Sequence, residues 1–334
     1  MKSSPARIVS VAALAGALLL LWACYPAAQV SYSNPQDSVA RQWLVEYRPS
    51  DSKLQLGLNY RRAGKNGGFS FNNTEFDVTL DQLPGLTRDQ MMSSSGTNVN
   101  FQLKRDAGTF NFEGWFKNGN GSGHFTFTPN QSFAAELSRQ GFGQATDDQL
   151  QSLAMSDTGQ AVINELKNQG YDAATVEQLV RLGNHGVRLE YLQGLKSLGY
   201  SVKSTDLVVR MKDHGVSLSF IRELGGMGYS NLEPDELVRT KDHGVGTSFI
   251  TELKALGYDR LQLDELRRMK DHGVNSSFIK ELQELGYNNT SVDQLVRLKD
   301  HGVSATYIKR MKERGYADLS LDEFIRLRDR GERE

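Results

Sequence analysis

Residues 286–316 read GYNNTSVDQLVRLKDHGVSATYIKRMKERGY, and this segment sets the architecture of most of the chain. It starts and ends on Gly-Tyr, and a glycine followed by an aromatic residue occurs seven times at one constant spacing, that between Gly286 and Gly315. A second marker, His-Gly-Val, occurs five times with the same period. Two markers in one register indicate a tandem repeat with six full units between residues 143 and 316. The marker residues are Gly141, Gly170, Gly199, Gly228, Gly257, Gly286 and Gly315, and His185, His214, His243, His272 and His301.

Each unit has the pattern of two short helices. Ser291 and Gln294 have the spacing of a capping box at the start of the first helix, and Gly302 suits its end because glycine adopts left-handed backbone angles. Ser304 can cap the second helix, which we expect to end at Gly315. One such pair buries too little apolar surface to offset the entropy of ordering the backbone of a whole unit. We therefore expect the units to stack into a continuous α-solenoid.

An arginine recurs at one position of the repeat, and an acid lies four residues before it. In a helix this spacing brings the two side chains together, with the acid in the first turn where the helix dipole favours it. We therefore expect ion pairs within each first helix, and a row of arginines that grips an anionic partner is the alternative. The pairs are Glu177 and Arg181, Asp206 and Arg210, Asp235 and Arg239, Asp264 and Arg268, Asp293 and Arg297, and Asp322 and Arg326.

The five repeated histidines do not predict a metal site. Neighbouring units of a helix stack lie about 10 Å apart, whereas zinc needs its nitrogen ligands at about 2 Å. Each histidine instead ends a first helix, where it can cap exposed carbonyl groups. No motif of a serine hydrolase, a zinc peptidase or a nucleotide-binding loop occurs. The sequence therefore predicts no catalytic residue, no cofactor and no metal.

Residues 43–129 show a different pattern, in which apolar residues alternate, as Leu54, Leu56 and Leu58 do. A period of two places such residues on one face of a strand, so the segment predicts an antiparallel, sandwich-like β domain. Residues 117–123, Lys-Asn-Gly-Asn-Gly-Ser-Gly, predict a hairpin loop. They do not predict a phosphate site, because they lack the P-loop lysine and do not open a helix. We assign Trp115 and Phe116 to the packing of the sheet, with a carbohydrate-binding face as the alternative.

The composition excludes several classes of protein. With 39 Lys and Arg against 40 Asp and Glu, the formal net charge is -1, and the chain lacks the basic excess of a nucleic-acid-binding protein. A single cysteine excludes a disulfide framework and a multi-cysteine metal site. The predicted fold class is α+β with two domains. A linker over residues 29–42 leads into the β-rich domain, residues 43–129, and the helical repeat domain follows over residues 132–334.

Residues 1–28 have the features of an export signal. An apolar run over residues 8–23 follows Lys2 and Arg7. As a helix it would be about 24 Å long, which is short for a hydrocarbon core of about 30 Å. Residues 21–24, Leu-Trp-Ala-Cys, resemble a bacterial lipobox, in which Cys24 would carry a lipid; cleavage after Ala28 and an uncleaved signal anchor stay open. We expect an exported protein, periplasmic or membrane-anchored and facing outside the cytoplasm.

The repeats resemble helical repeats of bacterial envelope proteins. The likeness rests on residues 293–303, on Tyr307-Ile308 and on Gly315-Tyr316, and residues 108–127 resemble the β segment that precedes such repeats. These repeats occur in uncharacterised exported proteins and beside membrane zinc peptidases of the BlaR type. The chain has neither the zinc-binding sequence nor the set of membrane helices of those peptidases. The resemblance therefore implies an accessory or sensory module outside the cytoplasm rather than proteolysis.

A large repetitive surface without catalytic motifs predicts an exported, non-enzymatic scaffold that holds a protein partner in the cell envelope. We expect no binding of nucleic acid, and contact with a membrane only through a lipid anchor or a signal anchor. Two alternatives stay open. One is an accessory ligand sensor in envelope stress or cell-wall signalling, whose β domain binds a glycan or muropeptide, and the other is a hydrolase with its site near Asp77, Asp81 or His124. The candidate partner-binding residues, which vary between repeats, are Arg188, Glu190, Ser219, Arg222, Thr251 and Lys280.

Overall fold

The structure is a computed structural model, and it describes residues 41–47, 53–63, 69–172 and 174–332. The predicted export signal, with Cys24 and all but the end of the linker, lies outside these residues. None of the helices within these ranges combines the length and the apolar character that a membrane span requires. The α+β class with two parts is confirmed. One compact unit, called the β unit, contains the described residues up to 101 together with 112–126, and the other, called the helical unit, contains 102–111 and the residues from 127 onward.

Six strands form one sheet in the described part of the chain, in the order β3-β2-β1-β6-β5-β4. Strand β1 lies in the middle, antiparallel to both β2 and β6, with Trp43 opposite Leu58 and Gly123. The β1–β6 ladder joins the first three strands to the last three. The strands are β1 (Arg41–Glu46), β2 (Leu54–Ala63), β3 (Phe69–Val78), β4 (Thr97–Arg105), β5 (Gly108–Lys117) and β6 (Asn120–Pro129).

The sheet is curved into a roll, so that side chains from distant strands pack against each other on its concave face. Two strands separate β1 from β4, which corresponds to roughly 14 Å in a flat sheet. The ring centroids of Trp43 on β1 and Phe101 on β4 are nevertheless only 5.1 Å apart. Phe112 and Phe116 on β5 pack against the same indole. The core is therefore enclosed by one rolled sheet and not by the two separate sheets of a sandwich, because the β1–β6 ladder makes the sheet continuous.

The connection between β3 and β4 packs against this core. It contains a 3-10 helix over Leu80–Gln82 and helix α1 over Arg88–Met92. The side chains of Leu83, Leu86 and Met91 from this connection are buried. They add apolar surface to a core that the concave face of the sheet supplies for the most part.

The loop between β5 and β6 is shorter than the predicted 117–123. Asn118 and Gly119, with φ of 51° and 83°, form a two-residue turn, and Asn120 already starts β6. Two left-handed residues suffice for such a turn. Gly121 and Gly123 are glycine for another reason: a Cβ would lie 2.4 Å from the Phe116 ring in the first case, and 2.7 Å from Nε1 of Trp43 in the second. The glycines of β6 thus make room for core rings.

Among the residues that the structure describes after the sheet, fourteen helices of nine residues each follow one another. Helices α2 (Gln131–Arg139) and α15 (Leu321–Asp329) flank six pairs. The first helices of the pairs are α3 (Asp147–Met155), α5 (Val176–Asn184), α7 (Thr205–Asp213), α9 (Pro234–Asp242), α11 (Leu263–Asp271) and α13 (Val292–Asp300). The second helices are α4 (Gln160–Asn168), α6 (Leu189–Ser197), α8 (Leu218–Gly226), α10 (Thr247–Ala255), α12 (Ser276–Glu284) and α14 (Ala305–Glu313).

The predicted starts and stops of these helices are confirmed. The Ser291 side chain accepts a hydrogen bond from the backbone N–H of Gln294, and Gly302 ends the first helix with a φ of 67°. The second helices end in a Schellman motif, in which the N–H of Tyr229 donates to the carbonyl oxygen of Leu224 at 3.0 Å. The tyrosine of the Gly-Tyr marker is therefore the residue that closes each second helix.

Helices of the same kind pack side by side along the series. First helices contact first helices, and second helices contact second helices. Residues such as Leu266, Phe278 and Leu282 are buried in this way. Nine residues are too few for an isolated helix to be stable in water. The helices therefore depend on their neighbours in the stack, as the predicted repeat arrangement requires.

The turn between β4 and β5 belongs to the helical unit. The Asp106 carboxylate accepts a hydrogen bond at 2.7 Å from the backbone N–H of Gln160 at the start of α4. The N-cap residue of that helix, Gly159, has no side chain that could do so. Arg105 forms an ion pair with Asp157 at 2.8 Å. The sequence placed the domain boundary near residue 130, and the structure adds 102–111 to the helical unit.

Candidate functional site

The repeated arginines of the first helices bond to the next unit. Arg210 Nη2 lies 2.9 Å from Oδ1 of Asp235, and Arg297 Nη1 lies 2.9 Å from Oδ1 of Asp322. The predicted pairing within each helix is thereby corrected. In four of five cases, stacking pairs the arginine with the acid 25 residues later, in the first turn of the adjacent helix. Arg181 with Asp206 and Arg268 with Asp293 make the same contact.

One unit departs from this arrangement. Arg239 bonds to Glu236 of its own helix at 3.4 Å. Asp264, the acid that corresponds to the other pairs, bonds to Arg267 instead, and this hydrogen bond lowers the pKa of the Asp264 carboxyl. Arg267 is buried at a position where four other units carry valine, and it also reaches Glu236 at 2.9 Å. Two carboxylates therefore compensate the charge of the buried guanidinium. The sequence did not predict this cluster.

The repeated histidines form a second series of contacts that the sequence did not predict. Nδ1 of each histidine lies within hydrogen-bond distance of an aspartate 28 residues later. In four of the five pairs that aspartate directly precedes the histidine of the next unit, so one Asp-His dipeptide bonds in both directions along the stack, whereas Asp329 is followed by Arg330. The Asp-His dipeptide recurs with the period of the repeat, and this recurrence was the feature of the sequence that could have predicted the contact. The distances are 2.6 Å for His185–Asp213, 2.5 Å for His214–Asp242, 2.6 Å for His243–Asp271, 2.5 Å for His272–Asp300 and 2.8 Å for His301–Asp329.

The repeated lysines pack on aromatic rings of the preceding unit. Nζ of Lys241 lies 4.6 Å from the centre of the Phe220 ring, and Nζ of Lys270 lies 4.2 Å from that of Phe249. At this distance the cation is attracted to the face of the ring. Every member of the repeated Lys-Asp-His sequence thus contacts a neighbouring unit, and the pattern has a structural explanation without a ligand. Lys212 over Tyr191 and Lys299 over Phe278 repeat the contact.

The second helices carry a surface of another kind, which we call the variable face. It consists of the second and fifth residues of helices α6, α8, α10, α12 and α14, which lie on one side of each helix because they are three apart. All ten side chains are exposed. The fifth position varies most, with Gln, Arg, Thr, Lys and Lys in order, whereas the second position is Ser in three of the five helices. Five of the six candidate residues predicted from the sequence lie here. The ten residues are Glu190, Gln193, Ser219, Arg222, Ser248, Thr251, Ser277, Lys280, Thr306 and Lys309.

Arg188, the sixth candidate, lies outside the variable face. It is the N-cap residue of α6 and half-buried. Its Nη1 donates a hydrogen bond at 2.7 Å to the carbonyl oxygen of Gly183 near the end of α5. Burial lowers the pKa of its guanidinium. The structure therefore gives Arg188 a contact between the two helices of its pair.

The outer face of the β unit contains a trough that crosses the strands. Gly57 lies opposite both Leu44 and Glu75, and Leu44 also lies opposite Ser122. Counting back from the two-residue turn places Trp115 opposite Ser122, so one row extends from β3 to β5. The trough over this row has a volume of about 390 Å³.

Trp115 and Phe116, which the sequence assigned together to sheet packing, have opposite environments. Phe116 is fully buried in the core, as expected. The Trp115 side chain points outward, and the residue is 42% exposed in the trough beside Leu44, which is 52% exposed. The two residues therefore do not pack the sheet together as predicted, because alternation along β5 sends neighbouring residues to opposite faces.

The three residues of the hydrolase alternative lie on different elements. His124 is opposite Gln42 on β1, Asp77 lies 3.9 Å from Nζ of Lys53, and Asp81 is in the 3-10 helix. Within the described residues, no group of three or more His, Cys, Asp or Glu side chains is placed to hold a metal ion. Comparisons with protein-family profiles, with curated proteins and with solved structures found no match for this chain.

Proposed function

We propose that this protein is a non-enzymatic scaffold of the cell envelope that binds a protein partner through the variable face. The support is the contrast between the two polar surfaces of the helical unit. Most of the Arg, Lys, Asp and His residues that recur along the series are engaged in contacts with the neighbouring unit. The variable face is exposed, and its fifth positions change among Gln, Arg, Thr and Lys along the series, as suits a surface specific for one partner.

The size of this face suits a stable interface. Five second helices at a spacing of about 10 Å supply the roughly 800 Å² that a standard interface buries on each partner. Its fifth positions include Arg222, Lys280 and Lys309. The glutamate after Arg222, Glu223, accepts a hydrogen bond from the Thr247 hydroxyl at 2.8 Å and so contacts the next unit. We therefore propose a partner that presents acidic side chains to the three basic residues.

Site-specific photo-crosslinking in cells tests this proposal. A photoreactive phenylalanine analogue replaces Arg222 or Lys280 in the full chain, and the control position is Arg260, which is exposed in the loop after α10. We expect one protein partner to be crosslinked from positions 222 and 280 and not from 260. The double variant Arg222→Glu with Lys280→Glu should release that partner while the helical circular dichroism signal stays unchanged. Crosslinks at all three positions, or at none, would contradict the proposal.

A second candidate function is the accessory ligand sensor in envelope stress or cell-wall signalling. Its support is the trough in the β unit, where an aromatic side chain is exposed among polar ones. The two candidates differ in the unit that makes the primary contact. A ligand that binds the β unit favours the sensor, whereas a protein held by the variable face favours the scaffold.

A further inference from the structure

We infer that the trough on the outer face of the β unit is a binding site for a neutral oligosaccharide. This inference deepens the sensor alternative by naming its ligand class, and it stands whether or not the variable face binds a protein. It rests on four features of the trough: its shape, its aromatic floor, its polar rims and its charge.

The shape is that of an elongated, shallow groove. Small residues in the central row, Gly57 and Ser122, leave the space between two flanking rows of larger polar residues. The central row crosses four strand spacings between β3 and β5, which amounts to roughly 19 Å. The volume of about 390 Å³ lies within the range of small-ligand sites, about 300–1,000 Å³. A groove of this length suits a chain of sugars better than a single one.

The aromatic floor is provided by Trp115. A Cβ on Gly96 would lie 2.6 Å from Cζ2 of this indole, so the ring rests directly on the Gly96 backbone. The indole is therefore held in place on one side and exposed to solvent elsewhere. A large, fixed, exposed ring binds flat apolar surfaces at a low cost in conformational entropy. The C–H face of a pyranose ring is such a surface, and Leu44 extends the apolar floor beside it.

The polar rims carry groups that match sugar hydroxyls. Asn59, Asn73, Gln55 and Asn120 line the trough, and each amide offers both donors and acceptors. Gln55 Nε2 donates a hydrogen bond at 3.0 Å to Oε2 of Glu75, which fixes the direction of that carboxylate. Neighbouring hydroxyls of a sugar can donate to a carboxylate or bond to an amide from both sides. Polar rims around an apolar floor are the composition that an amphipathic sugar chain requires.

The charge of the trough selects against anionic ligands. The carboxylate of Glu75 lines it, and its described lining contains no lysine or arginine. An acidic sugar, or a muropeptide whose peptide stem carries carboxylates, would meet like charge there. An extended peptide is also disfavoured, because the trough crosses strands whose backbone groups already pair within the sheet. A neutral glycan avoids both penalties.

Calorimetric titration of the full chain with tetrasaccharides tests this inference. The probes are cellotetraose, mannotetraose and tetra-N-acetylchitotetraose as neutral ligands, and tetragalacturonate as the acidic comparison. We expect at least one neutral probe to bind and the acidic probe not to bind. Trp115→Ala should weaken binding about tenfold, the equivalent of one aromatic stacking contact. Tyr316→Ala is the matched control, since Tyr316 is an exposed aromatic residue of the helical unit, 39% exposed, and should bind as the parent does.

A second variant separates loss of binding from loss of folding. A Cβ on Gly57 would meet its nearest neighbour at 3.6 Å, an ordinary contact, so Gly57→Thr fits the strand and fills the trough. We expect it to unfold at an unchanged or higher temperature and to lose the oligosaccharide. Four results would overturn the inference: no neutral probe binds up to millimolar concentration, tetragalacturonate binds more tightly, the bound sugar is unaffected by both variants, or a protein occupies the trough while no sugar binds.

Discussion

The β unit and the helical unit derive their stability from contacts of different range. In the β unit a single indole, Trp43, packs against rings of β4 and β5, and its Nε1 donates to the carbonyl oxygen of Glu113, 70 residues away in sequence. In the helical unit the same small set of contacts recurs from one repeat to the next and joins only adjacent repeats. Stability is therefore concentrated at one residue in the first case and distributed over many pairs in the second. Single substitutions should have large effects in the β unit and small ones between the repeats.

The largest effect is expected for Gly123→Ala in β6. The added Cβ would lie 2.0 Å from the carbonyl oxygen of Glu113 and 2.7 Å from Nε1 of Trp43, so backbone and indole would both have to move. Overpacking of this kind costs about 3 kcal/mol or more when backbone is involved. Urea unfolding followed by tryptophan fluorescence measures it, because Trp43 and Trp115 both lie in the β unit.

Gly57→Ala is the matched control in the same sheet. Gly57 faces the outer trough, where a Cβ would meet only ordinary contacts at 3.6 Å and beyond. Alanine should therefore be neutral or stabilise the β unit by up to about 1 kcal/mol, since glycine is unfavourable in a strand interior. If Gly123→Ala and Gly57→Ala lowered the free energy of unfolding equally, the contacts of Trp43 would not be the main source of stability in this unit.

A smaller effect is expected for Tyr191→Phe in α6. The buried Tyr191 hydroxyl donates to the carbonyl oxygen of Val216 in the next unit at 2.7 Å, and its loss should cost about 1 kcal/mol at neutral pH. Burial raises the pKa of Tyr191 from 10.0 to about 12, so the folded state retains a proton that the unfolded state loses. The contribution is therefore complete below pH 10 and disappears as the pH rises towards 12.

The pH dependence of urea unfolding, followed by helical circular dichroism, provides the measurement for this tyrosine. We expect the parent protein to lose stability between pH 10 and 12 and the Tyr191→Phe variant to lose less over the same interval. Burial also raises the pKa of Tyr171, so part of the alkaline loss should persist in the variant. Parallel curves for parent and variant would exclude Tyr191 as a source of the alkaline transition.

The sequence predicted the helical unit in detail because the period of the repeat can be read directly from the amino-acid sequence. The capping box at Ser320 and Glu323 and the glycine stops depend on residues a few positions apart, where local geometry decides. Pairing across units was not predicted correctly, because the side-by-side register of two helices depends on packing. An acid four residues before Arg210 fits a pair within the helix equally well, and the structure selects Asp235 of the next helix.

The rolled sheet illustrates the same limit for the β unit. Alternating apolar residues predicted the strands and their buried face, including Leu56 and Phe112. The roll, the glycines of β6 and the exposure of Trp115 all depend on the position of Trp43 against strands far away in sequence. A candidate ligand surface on the outer face became apparent only when the cross-strand row through Leu44 was known.

Among the repeated contacts, the histidine–aspartate pairs should contribute more than the arginine–aspartate pairs. His243 is the C-cap residue of a first helix, and its Nδ1 lies 2.6 Å from Oδ1 of Asp271, so that the pair shares a hydrogen bond to a carboxylate. A double-mutant cycle with His243→Ala and Asp271→Ala should give a coupling of about 0.5–1 kcal/mol, because both side chains are partly exposed. If this coupling energy exceeded the stability lost through a single substitution in the β unit, such as Gly123→Ala, the stability of the helical unit would not be distributed over many pairs.

The smallest effect is expected for one arginine–aspartate pair. Arg210 and Asp235 are about half-exposed, so a cycle with Arg210→Ala and Asp235→Ala should give a coupling of roughly 0.2–0.5 kcal/mol. The coupling should fall in high salt, because screening weakens exposed charge pairs, whereas the loss in Gly123→Ala should not change. Arg139 with Glu136, which pair within one helix, form the matched pair. If the pair between units couples no more strongly than this pair, stacking depends on the apolar faces and the cation–π contacts, and the ion pairs mainly fix the register between adjacent repeats.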